Sequence, residues 1–131
     1  MTYLVDTDWV VDYLKGKKPA TKLFTSLAKN GLAISLITFG EIYEGIYYAE
    51  NPKISELGFR NFLRFVDILP LNRQIMKRFA RIRGNLRQKG RIIGDPDILI
   101  ASTTIFHNLT LLTRNLKHYQ RIPDLKLFQK N

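Results

Sequence analysis

Short apolar segments alternate with amphipathic helical segments along this chain, and this alternation restricts its fold more than any other feature. The apolar segments at residues 2–5, 32–36, 110–113 and 125–128 have the length and composition of strands. A further short apolar segment spans residues 66–71. Strands that alternate with helices generally pair in parallel, because each helix carries the chain back across the sheet. The sequence therefore predicts a parallel sheet that is covered by helices on both faces.

The helical segments are recognised by apolar residues at a spacing of three or four. They are predicted at residues 8–15, 19–29, 38–49, 54–65 and 96–107, with another long helix around residues 75–86. In that long helix, one apolar face is formed by Ile75, Met76, Phe79, Ile82 and Leu86. Turn residues such as Gly16, Gly31 and Pro52 separate the segments.

Carboxylates stand where three hydrophobic segments give way to helices. Asp6 and Asp8 follow the first strand, Glu41 follows the second, and Asp95 and Asp97 open the helix before the fourth. The strand at residues 110–113 ends instead in a hydroxyl and an amide, Thr113 and Asn115. Sites in open α/β sheets form at the carboxyl ends of parallel strands, beside a topological switch point. We therefore expect these acids to meet at one edge of the sheet.

Helix capping offers a competing explanation for each acid. Asp6 or Asp8 would cap the first helix, and Thr38 with Glu41 has the spacing of a capping box. Asp95 before Pro96 also reads as an N-cap, with Asp97 in the first turn. In this interpretation all the acids lie at helix N-termini, where the dipole favours a charged carboxylate by about 0.3–1 kcal/mol. Capping and cation binding are therefore compatible.

The residue types at this edge favour one class of metal. The chain has no cysteine and only two histidines, so zinc sites built on thiolates are excluded. Neither His107 nor His118 has metal-ligand spacing, and both are interpreted as structural or surface residues. Clustered carboxylate oxygens suit Mg²⁺ or Mn²⁺.

Apart from these acids the chain is strongly basic, with 21 Lys and Arg against 11 Asp and Glu and a net charge of +10. No acid interrupts the stretch from residue 73 to residue 91, which holds Arg73, Lys77, Arg78, Arg81, Arg83, Arg87, Lys89 and Arg91. This stretch is either a solvated helix face or a surface for polyanions. Beside an acidic pocket it favours a metal-dependent nuclease, with Arg78, Arg81 and Arg87 as candidate contacts to RNA phosphates.

Composition places the chain among globular proteins. A length of 131 residues with a hydrophobic fraction of 45% predicts a single domain over residues 1–131. No apolar run approaches the roughly 18–20 residues that span a bilayer, and the N-terminus lacks the features of a signal peptide. We expect a cytoplasmic protein that does not bind membranes.

Four motifs in order resemble those of PIN-domain proteins, and the whole chain is similar to the VapC toxins of prokaryotic type II toxin–antitoxin systems. The motifs are Val5-Asp6-Thr7-Asp8, Thr38-Phe39-Gly40-Glu41-Ile42-Tyr43-Glu44-Gly45, Asp97-Ile98-Leu99-Ile100-Ala101 and Leu112-Thr113-Arg114-Asn115. The resemblance implies a PIN-like α/β/α sandwich whose central parallel sheet has about four to five strands. It also implies a Mg²⁺- or Mn²⁺-dependent endoribonuclease, a homodimer, and an antitoxin that occludes the active site.

Position by position, the resemblance assigns Asp6, Glu41 and Asp97 to the metal. Thr113 matches a hydroxyl of the pocket, and Asn115 stands where many relatives carry a fourth acid; Thr7 is a further supporting residue. Two residues along a helix rotate a side chain by about 200°. If Asp97 faces the metal, Asp95 is therefore left as the N-cap.

The function predicted from the sequence is hydrolysis of RNA phosphodiester bonds by a toxin of a toxin–antitoxin pair. A non-catalytic RNA-binding module of the same fold is the main alternative, and it would bind RNA without cleaving it under any metal. A metal-dependent phosphatase for small molecules also fits the acids but leaves the net charge of +10 without a role.

Overall fold

The computed structural model describes residues 2–129, which form a five-stranded parallel sheet between two layers of helices. The strands are β1 (Tyr3–Val5), β2 (Leu32–Ser35), β3 (Val66–Leu69), β4 (Thr110–Leu112) and β5 (Lys126–Leu127). The helices are α1 (Thr7–Leu14), α2 (Lys18–Leu27), α3 (Leu36–Tyr47), α4 (Pro52–Phe62), α5 (Arg73–Gln88), α6 (Asp95–Phe106) and α7 (Leu116–Tyr119). A single 3₁₀ turn, Ala28–Asn30, links α2 to β2. The predicted α/β/α sandwich is confirmed.

The order of the strands, β3-β2-β1-β4-β5, places β1 in the middle of the sheet. The chain moves outward from β1 through β2 to β3 and then returns to β4 on the other side of β1. Tyr3 is aligned with Leu32 of β2 and with Thr110 of β4. The carboxyl ends of β1 and β4 are therefore adjacent at a topological switch point, which is where open α/β sheets bind ligands.

Successive residues of each strand face opposite layers of the core, as the pleat requires. Leu4 and Leu111 pack in the layer formed with α5, α6 and α7, where Leu86, Ile98 and Tyr119 are buried. Val5 and Leu112 pack in the layer formed with α1 to α4. Both layers are covered, so the central strands are apolar on both faces, which is why they read as continuous hydrophobic segments.

Two predicted helix starts are wrong. Helix α3 begins at Leu36 rather than Thr38, because Ser35 Oγ accepts a 3.0 Å hydrogen bond from the backbone N–H of Ile37 and so caps the helix. Glu41 is consequently the sixth residue of α3, and it belongs neither to a capping box nor to the helix N-terminus. Helix α6 has Gly94 as its N-cap, and Asp95 is its first residue.

Helix α5 agrees with its predicted apolar face except at one position. Ile75, Ile82 and Leu86 are buried, but the side chain of Met76 is 41% exposed. Arg81 and Arg87 are exposed and Arg78 is half-buried. Between residues 2 and 129, no helix combines the length and apolar character required to cross a bilayer.

Candidate active site

Asp6 lies at the centre of the site, at the carboxyl end of β1. Its Oδ1 accepts a 2.9 Å hydrogen bond from the backbone N–H of Thr7, so Asp6 also caps α1. Its Oδ2 accepts a 2.7 Å hydrogen bond from the hydroxyl of Thr113, which follows β4. The carboxylate of Asp6, which is only 7% exposed, therefore caps α1 and also forms part of the site.

The surroundings of Asp6 oppose its negative charge. The pKa of Asp6 is raised from its ordinary 3.8 to about 6, chiefly by burial and then by the negative charges of Asp8 and Asp97, while the hydrogen bonds from Thr113 and Thr7 lower it. A cation placed among these carboxylates would relieve both the repulsion and the cost of desolvation.

Glu41 is joined to this centre through a chain of hydroxyl groups. The Thr7 hydroxyl donates a 2.7 Å hydrogen bond to Glu41 Oε1 and lies 3.0 Å from the hydroxyl of Thr38, which is fully buried. Glu41 lies more than a turn inside α3, and its side chain is exposed. It borders the centre from α3 without being buried next to Asp6.

Asp97 and Asp95 point to different partners, as the two-residue separation predicts. Asp97 Oδ2 accepts a 2.9 Å hydrogen bond from Nε2 of His118 on α7. Asp95 Oδ1 accepts a 2.8 Å hydrogen bond from Nε of Arg83 on α5. The predicted cap role of Asp95 is wrong, since its side chain makes no cap hydrogen bond and pairs with Arg83 instead. The prediction that Asp95 and Asp97 point in different directions is nevertheless correct.

Tyr119 contributes a buried hydroxyl next to the two carboxylates. The residue is 1% exposed, and within residues 2–129 its hydroxyl has no hydrogen-bond partner. Burial raises the pKa of Tyr119 above its usual value, and the negative charges of Asp6 and Asp97 raise it further. Tyr119 is therefore a neutral donor beside the acidic centre, where the carboxylates of Asp6 and Asp97 act on its hydroxyl. A buried hydroxyl of this kind reduces stability unless a well-placed acceptor, such as a water or a polar ligand, bonds to it.

The fourth strand end supplies a hydroxyl but no further acid. The Thr113 hydroxyl, besides donating to Asp6, accepts a 3.1 Å hydrogen bond from the backbone N–H of Asn115. Asn115 precedes α7, and its exposed side chain does not cap that helix. Thr113 is thus built into the centre, whereas Asn115 lies at its rim.

Asp8 holds the loop after β4 rather than facing Asp6 alone. Its Oδ2 accepts a 3.1 Å hydrogen bond from the backbone N–H of Arg114. The guanidinium group of Arg114 forms an ion pair with Asp12 and lies over the ring of Trp9, with 4.9 Å from its central carbon to the ring centroid. These contacts fix Thr113, the neighbour of Arg114, in the position from which it donates to Asp6.

Cations border the site on the α7 side. A polar cavity of about 520 Å³ is lined by residues of the 90–92 loop and of the α7 region, among them Arg91, Lys117 and Arg121. Lys117 directly precedes His118, the partner of Asp97. Arg91, Lys117 and Arg121 thus make this part of the surface a favourable region for a polyanion.

The donor set fits a hard divalent cation in its chemistry. Asp6 and Asp97 offer carboxylate oxygens close to one another, and the unsatisfied hydroxyl of Tyr119 leaves a polar position beside them. In the part of the chain from residue 2 to residue 129, no three acid or imidazole side chains surround one point as a closed metal cage. The arrangement is an open two-carboxylate site with Glu41 at its edge.

Sequence reasoning missed His118 and Tyr119, because the position of α7 against Asp97 depends on the tertiary path of the loop after β4. One signal was present in the sequence. Asn115 and His118 are three residues apart, so a single helical turn after a polar strand end presents both near the site. Of the two interpretations given for His118, structural or surface, the structure supports the structural one, since the residue is half-buried against Asp97.

Known proteins resemble this chain over nearly its whole length. The PIN domain family model matches residues 3–124. The chain is 35% identical to Ribonuclease VapC2 of Rickettsia felis, over 97% of this chain and 96% of that protein. It is 33% identical to Ribonuclease VapC1 of Methanocaldococcus jannaschii, over 97% of this chain and 87% of that protein.

Two solved structures with the same fold are VapBC complexes. VapBC2 from Rickettsia felis, bound to a DNA fragment from its promoter, superimposes with a TM-score of 0.92 and 32% identity over the full length of both chains. VapBC-1 from nontypeable Haemophilus influenzae gives a TM-score of 0.87 and 29% identity over 98% of each chain. The chain belongs to the PIN-domain family and, within it, to the VapC proteins.

Proposed function

We propose that this protein is a metal-dependent endoribonuclease that hydrolyses RNA phosphodiester bonds and acts as the toxin of a toxin–antitoxin pair. The observation that carries the proposal is the desolvated carboxylate of Asp6 beside Asp97, in a protein with a net charge of +10. The relatives named above are ribonucleases by name, and the superimposed structures are complexes of such proteins with antitoxins.

Asp6 and Asp97 would hold a Mg²⁺ or Mn²⁺ ion, and Glu41 would add a third carboxylate at the edge of the site. Such an ion lowers the pKa of a bound water and neutralises charge that develops on the phosphate oxygens. His118 orients Asp97, and Thr113 and Thr7 orient Asp6 through its two oxygens. The Tyr119 hydroxyl, which lies beside both carboxylates, would offer a hydrogen-bond donor to a phosphate oxygen held there.

The cations beside the site attract and hold the RNA. Arg91, Lys117 and Arg121 border the approach to Asp97, and Arg87 lines an adjoining cavity together with Arg91. Lys and Arg at such positions hold phosphates without reading sequence. Arg78 and Arg81 are further candidate phosphate contacts on α5.

The antitoxin binds next to Glu41 in this proposal. An apolar groove of about 460 Å³ runs between α1, α3 and α4, and Glu41 stands at it together with Val11, Ile42, Ile46 and Ile54. A partner helix seated in this groove would bring a basic side chain within reach of the carboxylates. A charge-assisted, bidentate bond of that kind stabilises acids that otherwise repel one another.

The proposal is tested by incubating purified protein with structured RNA in the presence of Mg²⁺, of Mn²⁺, or of EDTA. We expect cleavage in the two metal arms only, and none with Asp6→Asn. RNA binding without cleavage in any arm would identify a binding module and contradict the enzymatic proposal. Cleavage that persists in EDTA or in Asp6→Asn would show that another site acts.

A further inference from the structure

A second cavity, of about 680 Å³, lies on the far side of Thr113 from Asp6. It is formed between α1, α2 and the loop after β4, and its walls include Trp9, Lys22, Leu23, Thr113, Arg114 and Phe128. Thr113 lines this cavity and also donates to Asp6 Oδ2 at 2.7 Å. Only the side chain of Thr113 therefore links this cavity to the carboxylate of Asp6.

The cavity combines an aromatic wall with two cations. Arg114 lies over the Trp9 ring, and Lys22 projects from the exposed face of α2. Aromatic surface and cationic charge thus occur together at this cavity.

We propose that this cavity binds one nucleobase of the RNA, next to the phosphodiester held at Asp6. The inference rests on the proposed ribonuclease function and adds a subsite to it. A base is planar and apolar on its faces, which suits Trp9 and Leu23, and it carries acceptors on its edge. The phosphate attached to the same nucleotide pairs with Lys22 or Arg114. Single-stranded RNA is commonly bound in this way, by stacking on aromatic and guanidinium groups.

Other occupants fit the cavity less well. A purely apolar ligand would leave Lys22 without a counter-charge, whereas Arg114 is already paired with Asp12. A free phosphate would use the cations but not the aromatic wall. A nucleotide is the ligand whose chemistry matches both features.

The chain supplies its own probe, because Trp9 is its single tryptophan. Fluorescence of the intact protein is titrated in EDTA with short single-stranded 2′-O-methyl RNA, which resists cleavage, and with an abasic strand of the same length and charge. We expect quenching by the base-containing strand and none by the abasic strand. Equal quenching by both would show that only phosphates bind there and would overturn the proposal.

A cavity-filling variant tests the position directly. Ser26 is an exposed residue of α2 that lines the cavity, so Ser26→Phe should block it. Thr21→Phe, on another face of the same helix, is the matched control for added aromatic surface. We expect Ser26→Phe to weaken binding of the base-containing strand roughly 5- to 150-fold, the range that loss of one stacked base produces. Unchanged affinity in Ser26→Phe, with thermal unfolding like that of Thr21→Phe, would contradict the subsite.

The two proposals fail in different ways. Cleavage of RNA with metal, combined with strand binding by anisotropy that leaves Trp9 fluorescence unchanged, would overturn the subsite and leave the ribonuclease intact. Base-dependent quenching without cleavage under any metal would support the subsite and overturn the enzyme. A spectral shift produced by an acidic phenylalanine-containing peptide, and by no RNA strand, would assign the cavity to a protein and overturn the nucleobase.

Discussion

The Thr113 hydroxyl donates a 2.7 Å hydrogen bond to Asp6 Oδ2 across 107 positions of sequence, and this bond joins the carboxyl ends of β4 and β1. Both side chains are buried. The bond favours the ionised form of a carboxylate whose burial opposes ionisation. Its contribution to stability should therefore depend on the charge of Asp6.

Thr113→Val keeps the shape of the side chain and removes the donor. A hydrogen bond to a charged group contributes about 1.5–3 kcal/mol, and a bond to the neutral acid less. We therefore expect the loss in free energy of unfolding to be larger near pH ~8 than near pH ~5. Denaturant unfolding at both pH values measures it, with Thr113→Ser as the control that keeps the hydroxyl. Equal losses at the two pH values would contradict this role.

Asp6→Asn should stabilise the protein at neutral pH when EDTA removes divalent cations. Folded Asp6 keeps its proton up to a pKa of about 6, whereas the unfolded residue loses it near 3.8, so the folded state binds more protons in between. Stability consequently falls as pH rises through that window, and the penalty is complete above it. Its size is at most about 3 kcal/mol.

Melting temperatures of wild type and Asp6→Asn across the pH range test this expectation. The two should agree below pH ~4, and the variant should melt higher above pH ~6. Added Mg²⁺ or Mn²⁺ should raise the melting temperature of the wild type only. A variant that melts lower than wild type at neutral pH would show that the charge of Asp6 is not opposed in the fold.

The meeting of Asp6 and Thr113 could be predicted from the sequence, because it depends only on strand order and on the local pattern of residues. Asp6 and Thr113 each directly follow a strand, and parallel pairing of β1 with β4 brings them together. The prediction that Glu41 lies at a helix N-terminus is wrong, because Ser35 and Thr38 both have side chains that can cap a helix and Ser35 does so.

Contacts between side chains on separate elements could not be predicted. The partners of Asp97 and Asp95 are His118 and Arg83, which lie 21 and 12 residues away along the chain. Each contact depends on how α6 packs against α7 and α5. Local spacing carries no information on that packing, which is set by the buried residues of the layer.

Asp97→Asn and Asp95→Asn form a matched pair on one helix. We expect Asp97→Asn to abolish cleavage and to weaken metal binding, because it removes charge from the pair with Asp6. Asp95→Asn loses only the ion pair with Arg83, whose two side chains are 53% and 37% exposed, and such pairs contribute about 0–1 kcal/mol. To decide which acid binds the metal, RNA cleavage, metal binding and thermal unfolding are measured for both variants. An inactive Asp95→Asn beside an active Asp97→Asn would reverse the assignment.

Charge reversal of Arg78, Arg81 and Arg87 should weaken RNA binding and reduce its dependence on salt. The slope of log K against log salt should fall by roughly 0.7 for each RNA phosphate that the variant no longer neutralises. The fold should persist, since Ile75, Ile82 and Leu86 carry the packing of α5. Reversal of Lys29, Lys53 and Arg60, exposed cations outside α5, gives the same change in net charge as a control. Equal effects of the two triple variants would show a general charge effect rather than a binding surface.

Ile54→Glu should separate toxicity from neutralisation by the antitoxin. Ile54 is 67% exposed and lines the groove beside Glu41, so a charge there should oppose an apolar partner helix without touching the acids. Leu57 is 59% exposed on the same helix and does not line the groove, which makes Leu57→Glu the matched control. Growth is measured after induction of each variant, alone and together with the antitoxin of the proposed pair, with Asp6→Asn as the non-toxic reference. We expect wild type, Ile54→Glu and Leu57→Glu all to arrest growth alone, and only Ile54→Glu to resist the antitoxin. If the antitoxin rescues Ile54→Glu as fully as Leu57→Glu, with both proteins folded and equally abundant, the antitoxin does not bind in this groove.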